Sequence, residues 1–257
     1  MNQPNNNNSG FCFNLACFPN KDAQPPPPPS REARAEAKSA RTLFNLALAM
    51  QAEGQLTQAC ELYEQVVKAD PDYHDAWYNL GHIKEEQSDS GAACRCLAEA
   101  LRIKPEDKES HLLMAYALES TGDLKRAVEH YTHAKRLDPG CTTTLYNLAN
   151  AFHDLGRLDE AASNYRKVIE MEATNVDAHF NLGVVLQDAG DLGGALGAYS
   201  AALALDPTLT DARAAVESLR LRRRAPPFWA SLLGQDRHCP PAKNSVWSYV
   251  APPPLFF

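Results

Sequence analysis

The stretch "AWYNLGHIKEEQSDSGAACRCLAEALRIKP", residues 76 to 105, decides the fold. Its apolar residues recur at intervals of three and four, Ser88 breaks the pattern near the middle and Pro105 ends it. That periodicity predicts two helices joined by a tight turn. The same landmarks return every 34 residues: Ala59, Ala93, Ala127, Ala161 and Ala195, and likewise Tyr63, Leu97, Tyr131, Tyr165 and Tyr199. Leu46, Leu80, Met114, Leu148 and Leu182 keep the step too, each followed by Ala or Gly. Pro71, Pro105, Pro139 and Pro207 close four units, and Ala173 takes that place in the other.

Five units tile without a gap: 40–73, 74–107, 108–141, 142–175 and 176–209. Gly54, Gly122, Gly156 and Gly190 stand where the second unit has Ser88, at a turn that suits a residue without Cβ. The small residues let paired helices approach, and the aromatic or Leu of the second helix fills the space beside them. One such hairpin cannot bury its own apolar face, so stability has to come from stacking neighbours into a solenoid.

The flanks differ in kind. Residues 1–29, with "NQPNNNNSG" and "QPPPPPS", read as a disordered Asn/Pro-rich arm. Ser30 is a candidate N-cap for a helix extending backward from the first unit. Residues 210–224 have the pattern of a capping helix, with Ala214, Val216 and Leu219 able to cover the last unit, and 225–257 form a Pro- and aromatic-rich tail.

The formal charge of −7 is unevenly spread: +1 over residues 1–39, −12 over 40–209 and +4 over 210–257. An acidic body repels phosphates, which argues against nucleic acid. No run approaches the length needed to cross a bilayer, so no membrane role is expected. Seven cysteines in a chain long enough to fold without staples suggest reduced thiols, hence a cytoplasmic, or else nuclear, location. No G-x-G-x-x-G, Walker-type, H-E-x-x-H or G-x-S-x-G signature is present. The reading is therefore a non-enzyme without cofactor. His130 and His133, three apart on a helix, lack a third metal ligand and read as a solvated face.

These landmarks resemble the tetratricopeptide repeat family, with Trp77, Leu80, Gly81, Ala93, Ala100 and Pro105 in the expected places. The resemblance implies an all-α fold: a right-handed α-solenoid of stacked antiparallel helix pairs with a C-terminal capping helix. It also implies that the first helix of each unit lines a concave face. The sixth place of each unit then holds Asn45, Asn79, Leu113, Asn147 and Asn181, and the fifth Phe44, Tyr78, Leu112, Tyr146 and Phe180. Asn150 is the ninth of its unit, and Glu85, Asp154 and Asp188 are carboxylates at the twelfth or thirteenth.

A carboxamide donates and accepts at once, so an Asn row could hold the backbone of an extended peptide. It could equally bond locally, and the aromatic fifth positions could either pack or stack on a ligand. The excess of carboxylates favours a basic or neutral segment, bound more weakly as salt rises. Phe44, Leu48, Asn79, Glu109 and Leu113 do not reproduce the carboxylate clamp of chaperone-binding members. The expected function is a protein-interaction adaptor. The Asn-bearing array also resembles the substrate-selecting region of O-GlcNAc transferases, without their catalytic domain. The basic tail could occupy the acidic groove in cis, or in trans by self-association.

Overall fold

A computed structural model of the chain describes the backbone of residues 31–224 and the side chains of 39–222. The arm at 1–29, the Ser30 cap and the tail at 225–257, with its proposed self-association, lie outside the described residues. Eleven helices and no strand are found among the residues described. They are α1 (Arg31–Ala52), α2 (Leu56–Ala69), α3 (His74–Glu86), α4 (Ser90–Ile103), α5 (Lys108–Ser120), α6 (Leu124–Leu137), α7 (Thr142–Asp154), α8 (Leu158–Met171), α9 (Val176–Asp188), α10 (Leu192–Leu205) and α11 (Thr210–Arg224).

Each odd-numbered helix up to α9 packs mainly on the even helix that follows it, and each even helix packs on the next odd one. The result is an all-α solenoid of hairpins with α11 laid against α10. Bonds between odd helices, such as Asn181 to Tyr146 (2.7 Å), and between even ones, such as Lys135 to Asn164 (2.7 Å), join each set into a layer.

Local chemistry explains the hairpins. Asp89, Asp107, Asp123, Asn175 and Asp191 cap helix N-termini by accepting from the backbone N–H three residues on, satisfying donors that have no intrahelical partner. The turns between paired helices place Gly54, Gly122, Gly156 and Gly190 at φ of +71 to +84°, and Ser88 alone takes the equivalent φ of +62° with a side chain. Close approach is enforced where expected: a Cβ on Gly183 would stand 2.6 Å from Tyr199 Cδ1.

The core is the layer interface, filled by the Ala at 34-residue steps and by Tyr63, Leu97, Tyr131, Tyr165 and Tyr199, all buried. Two expected core residues fail: on the capping helix Ala214 is exposed and Ala212 is buried with Val216 and Leu219, and Leu46 is 48% exposed, while Leu80, Met114, Leu148 and Leu182 are buried. This position packs against the preceding hairpin, and none precedes α1 among the described residues.

The joints between hairpins hide a regularity that residue types conceal. Trp77 Nε1 donates to Pro71 O (2.9 Å), and His111 Nε2 to Pro105 O (2.9 Å). His179 Nε2 donates to Ala173 O (3.1 Å), and Arg213 reaches Pro207 O. Three side-chain types thus perform one task, tying a loop carbonyl two residues past the end of one hairpin to the first turn of the next.

Candidate functional site

The fourth helix pair links the Asn row to its surroundings, and it corrects the row's expected character. Asn79 and Asn147 are 0% and 1% exposed, and Asn181 is buried too. Only Asn45 is open to solvent, for the same reason as Leu46. The three inner amides are therefore set into the floor rather than standing up from it. Asn181 Nδ2 donates to Tyr146 Oη of the preceding hairpin. The corresponding partners of Asn79 and Asn147 would be Phe44 and Leu112, which have no polar atom to offer. Asn79 lies beside Tyr63, but that hydroxyl donates to Gln51 Oε1 (2.8 Å), and neither amide atom of Asn79 has a partner of sound geometry. Asn147 Oδ1 and Asn150 Nδ2 are buried without a partner as well.

The aromatic fifth positions are settled by burial. Tyr78 is fully buried, and Phe180 packs on Tyr199 with ring centroids 5.4 Å apart. Tyr146 is partly exposed and meets Tyr165 edge-on at 5.7 Å. Packing therefore claims Tyr78 outright, so a ligand-stacking role for it is excluded in this arrangement.

A second row, one turn further along each odd helix, is where polar chemistry stays open. In three hairpins the second-helix Tyr latches the twelfth residue of its unit, on its own first helix: Tyr63 to Gln51, Tyr131 to Glu119 Oε2 (2.6 Å) and Tyr199 to Gln187 (3.4 Å). The second hairpin has Leu97 instead, and the fourth sends Tyr165 to Asn150 Oδ1. In those two the unlatched residue reaches across to the next hairpin. Glu85 Oε1 accepts from Ser120 Oγ (2.8 Å), and His153 Nε2 pairs with Asp188 Oδ2 (2.8 Å). The register that yields these two bonds puts Glu119 opposite Asp154, two carboxylates.

The electrostatic consequence is clear. Burial, partly offset by the Tyr131 hydrogen bond, and then repulsion from Asp154 push the Glu119 carboxyl up to about 8. Asp154 keeps solvent contact, yet the protein massed around it raises its pKa as well. Glu85 Oε2 and Glu119 Oε1 are buried with no partner in the protein. Tyr116 is half-buried, its hydroxyl pKa raised by burial and then by the charges of Glu85 and Glu119. Of this group, sequence reasoning selected Glu85 and Asp154 as binding candidates and missed the bond from Tyr131 to Glu119 and the part of Tyr116. The signal was a carboxylate at the twelfth place of a unit whose Tyr partner is one helix away.

A pocket on the even-helix side is lined by Thr132, Lys135, Phe152 and Asn164. Its Lys135 Nζ is already spent on Asn164 Oδ1, so it offers less unpaired chemistry. His130 is half-buried rather than solvated: its Nδ1 meets His111 Nδ1 at 2.9 Å, and His133 stacks on the same ring at 5.0 Å. Burial is the main cause that pulls His130 down to about 4. Among the described residues no group of three or more His, Cys, Asp or Glu is arranged to hold a metal, and no helix is long and apolar enough to cross a membrane.

Comparison with known families now decides the lineage. Profiles described as TPR repeat match residues 51–88 and 149–190, and profiles described as tetratricopeptide repeat match 74–107, 108–141 and 176–209. The chain belongs to the tetratricopeptide repeat family. No curated protein matches the chain. Among solved structures it is similar to YrrB, described as a TPR protein with an unusual peptide-binding site, at 22% identity and a TM-score of 0.65, covering 72% of this chain and 99% of that one. It is similar to MamA at 18% identity and a TM-score of 0.64, covering 69% and 96%. A tetratricopeptide repeat protein from Parabacteroides merdae matches at 16% identity and a TM-score of 0.64, covering 72% and 73%. At these identities the likeness carries the fold alone.

Proposed function

We propose that this TPR array is a non-enzymatic adaptor whose five hairpins hold an extended, basic or neutral segment of a partner protein along the odd-helix, concave face. One observation carries the reading. Glu85 Oε2, Glu119 Oε1, Asn147 Oδ1 and Asn150 Nδ2 are buried on that face without protein partners. Each unmade hydrogen bond costs roughly 1–3 kcal/mol. A face selected for stability alone would pair them, as the caps and the Tyr latches do elsewhere. A peptide supplies both donors and acceptors along its backbone, at about 3.3 Å per residue. The peptide-binding site described for YrrB supports the same class of ligand for a similar fold.

The test uses exposed carboxylates, so that folding is not in question. Asp154→Lys with Asp188→Lys reverses charge on the odd-helix face, and Glu61→Lys with Glu170→Lys does so on the other layer. Partners recovered by affinity purification from cells are expected to be lost with the first pair and kept with the second. Retention with the first pair would remove the groove from the account.

A further inference from the structure

Resting on that groove reading, we infer that Glu85, Glu119 and Asp154 form a pocket for one lysine side chain of the bound segment, with Tyr116 as its wall. The selectivity follows from which oxygens are spent. Ser120 Oγ occupies Glu85 Oε1, and Tyr131 Oη occupies Glu119 Oε2. Each glutamate therefore presents a single buried oxygen, on neighbouring helices α3 and α5. An arginine fork needs the two oxygens of one carboxylate side by side for bidentate pairing. An ammonium group instead sends three donors to separate acceptors, here Glu85 Oε2, Glu119 Oε1 and a carboxylate oxygen of Asp154.

The Tyr116 hydroxyl feels the charge of both glutamates, and its ring offers cation–π attraction to the same cation. Among the described residues no Lys or Arg pairs with these oxygens: Lys84 turns to Glu64 (4.0 Å) and Arg126 to Asp123 (3.6 Å).

An independent feature points to a ligand at this spot. Asn147, Asn150 and Asp154 fall at i, i+3 and i+7 on one face of α7. The two amides are buried to 1% exposure or less, with Oδ1 of the first and Nδ2 of the second unpaired. They offer one acceptor and one donor to the backbone that flanks a side chain reaching Asp154.

The test is a dodecapeptide display library selected on the full chain, counter-selected with the Asp154→Lys, Asp188→Lys double variant to retain groove binders. Fluorescence anisotropy then compares the best peptide with forms carrying Arg or Gln in place of its lysine. The pocket predicts one fixed lysine whose replacement by either residue costs about tenfold or more in affinity, the equivalent of 1.4 kcal/mol. Glu119→Gln in the protein should cost as much while its melting temperature is no lower than that of wild type, and Glu106→Gln, which faces Arg136, should cost nothing. If Glu119→Gln does not fold, Glu85→Gln carries the same prediction. Groove binders without a fixed lysine, or with arginine equally good, overturn the pocket and leave the groove reading standing. Failure to select any peptide that depends on the groove overturns both.

Discussion

Glu119→Gln provides a thermodynamic test of the carboxylate pair that needs no ligand. Glu119 ionises ordinarily near 4.5 when unfolded and near 8 when folded, so the folded state holds its proton over that interval and the unfolded state does not. Stability from this group is fully present below about pH 4.5 and is lost as pH rises through 8. The displacement corresponds to at most about 5 kcal/mol at high pH. Because Glu119 retains some solvent contact, a measured effect of about 1–3 kcal/mol is expected. Gln keeps the shape and can still accept from Tyr131 but never ionises. Urea unfolding at pH 5 and pH 9 should find the variant more stable than wild type at pH 9, with the gap closing at pH 5. Asp154, raised in the same direction, leaves a residual slope in the variant; Glu85, His153, Tyr116 and Tyr131 are common to both proteins. A variant equally or less stable at pH 9 would refute the repulsion and burial assigned to Glu119.

Three further outcomes follow from packing. Gly183→Ala would drive a Cβ to 2.6 Å from the buried Tyr199 ring, and should cost about 1–3 kcal/mol by chemical denaturation. Ser88→Gly relieves a side chain held at φ +62° and should raise stability by about 1 kcal/mol, whereas no gain would argue that Ser88 is not strained. Tyr146→Phe leaves the buried Asn181 Nδ2 without its acceptor and should cost about 1–2 kcal/mol, with Asn181→Leu added to the same variant recovering part of the loss.

The repeat was legible because it rests on volume and backbone conformation, which identity at a fixed spacing records directly. The 34-residue Ala, the turn Gly and the closing Pro each permit few substitutes, so their recurrence fixed helix count and pairing. Hydrogen-bonding partners were less legible. The joint made in turn by Trp77, His111, His179 and Arg213 is invisible to residue matching, because a carbonyl accepts from any N–H in reach. The Asn row was legible as a row, but its depth was not. Exposure of the sixth position depends on the hairpin before it, which leaves Asn45 open and sinks Asn79 and Asn147. Likewise, the open oxygen of Glu85 traces to Leu97 standing where the other hairpins have Tyr, a coupling across two helices that no local pattern carries.

The claim on which the account depends is that a partner segment lies on the odd-helix face. A photoreactive side chain in place of Asp188, on α9, or of Glu170, on α8, reads this directly when each protein is illuminated with a groove-selected, lysine-containing peptide. The account predicts covalent capture of the peptide from position 188 and none from position 170. Capture from 170 alone would place the ligand on the other layer and contradict it.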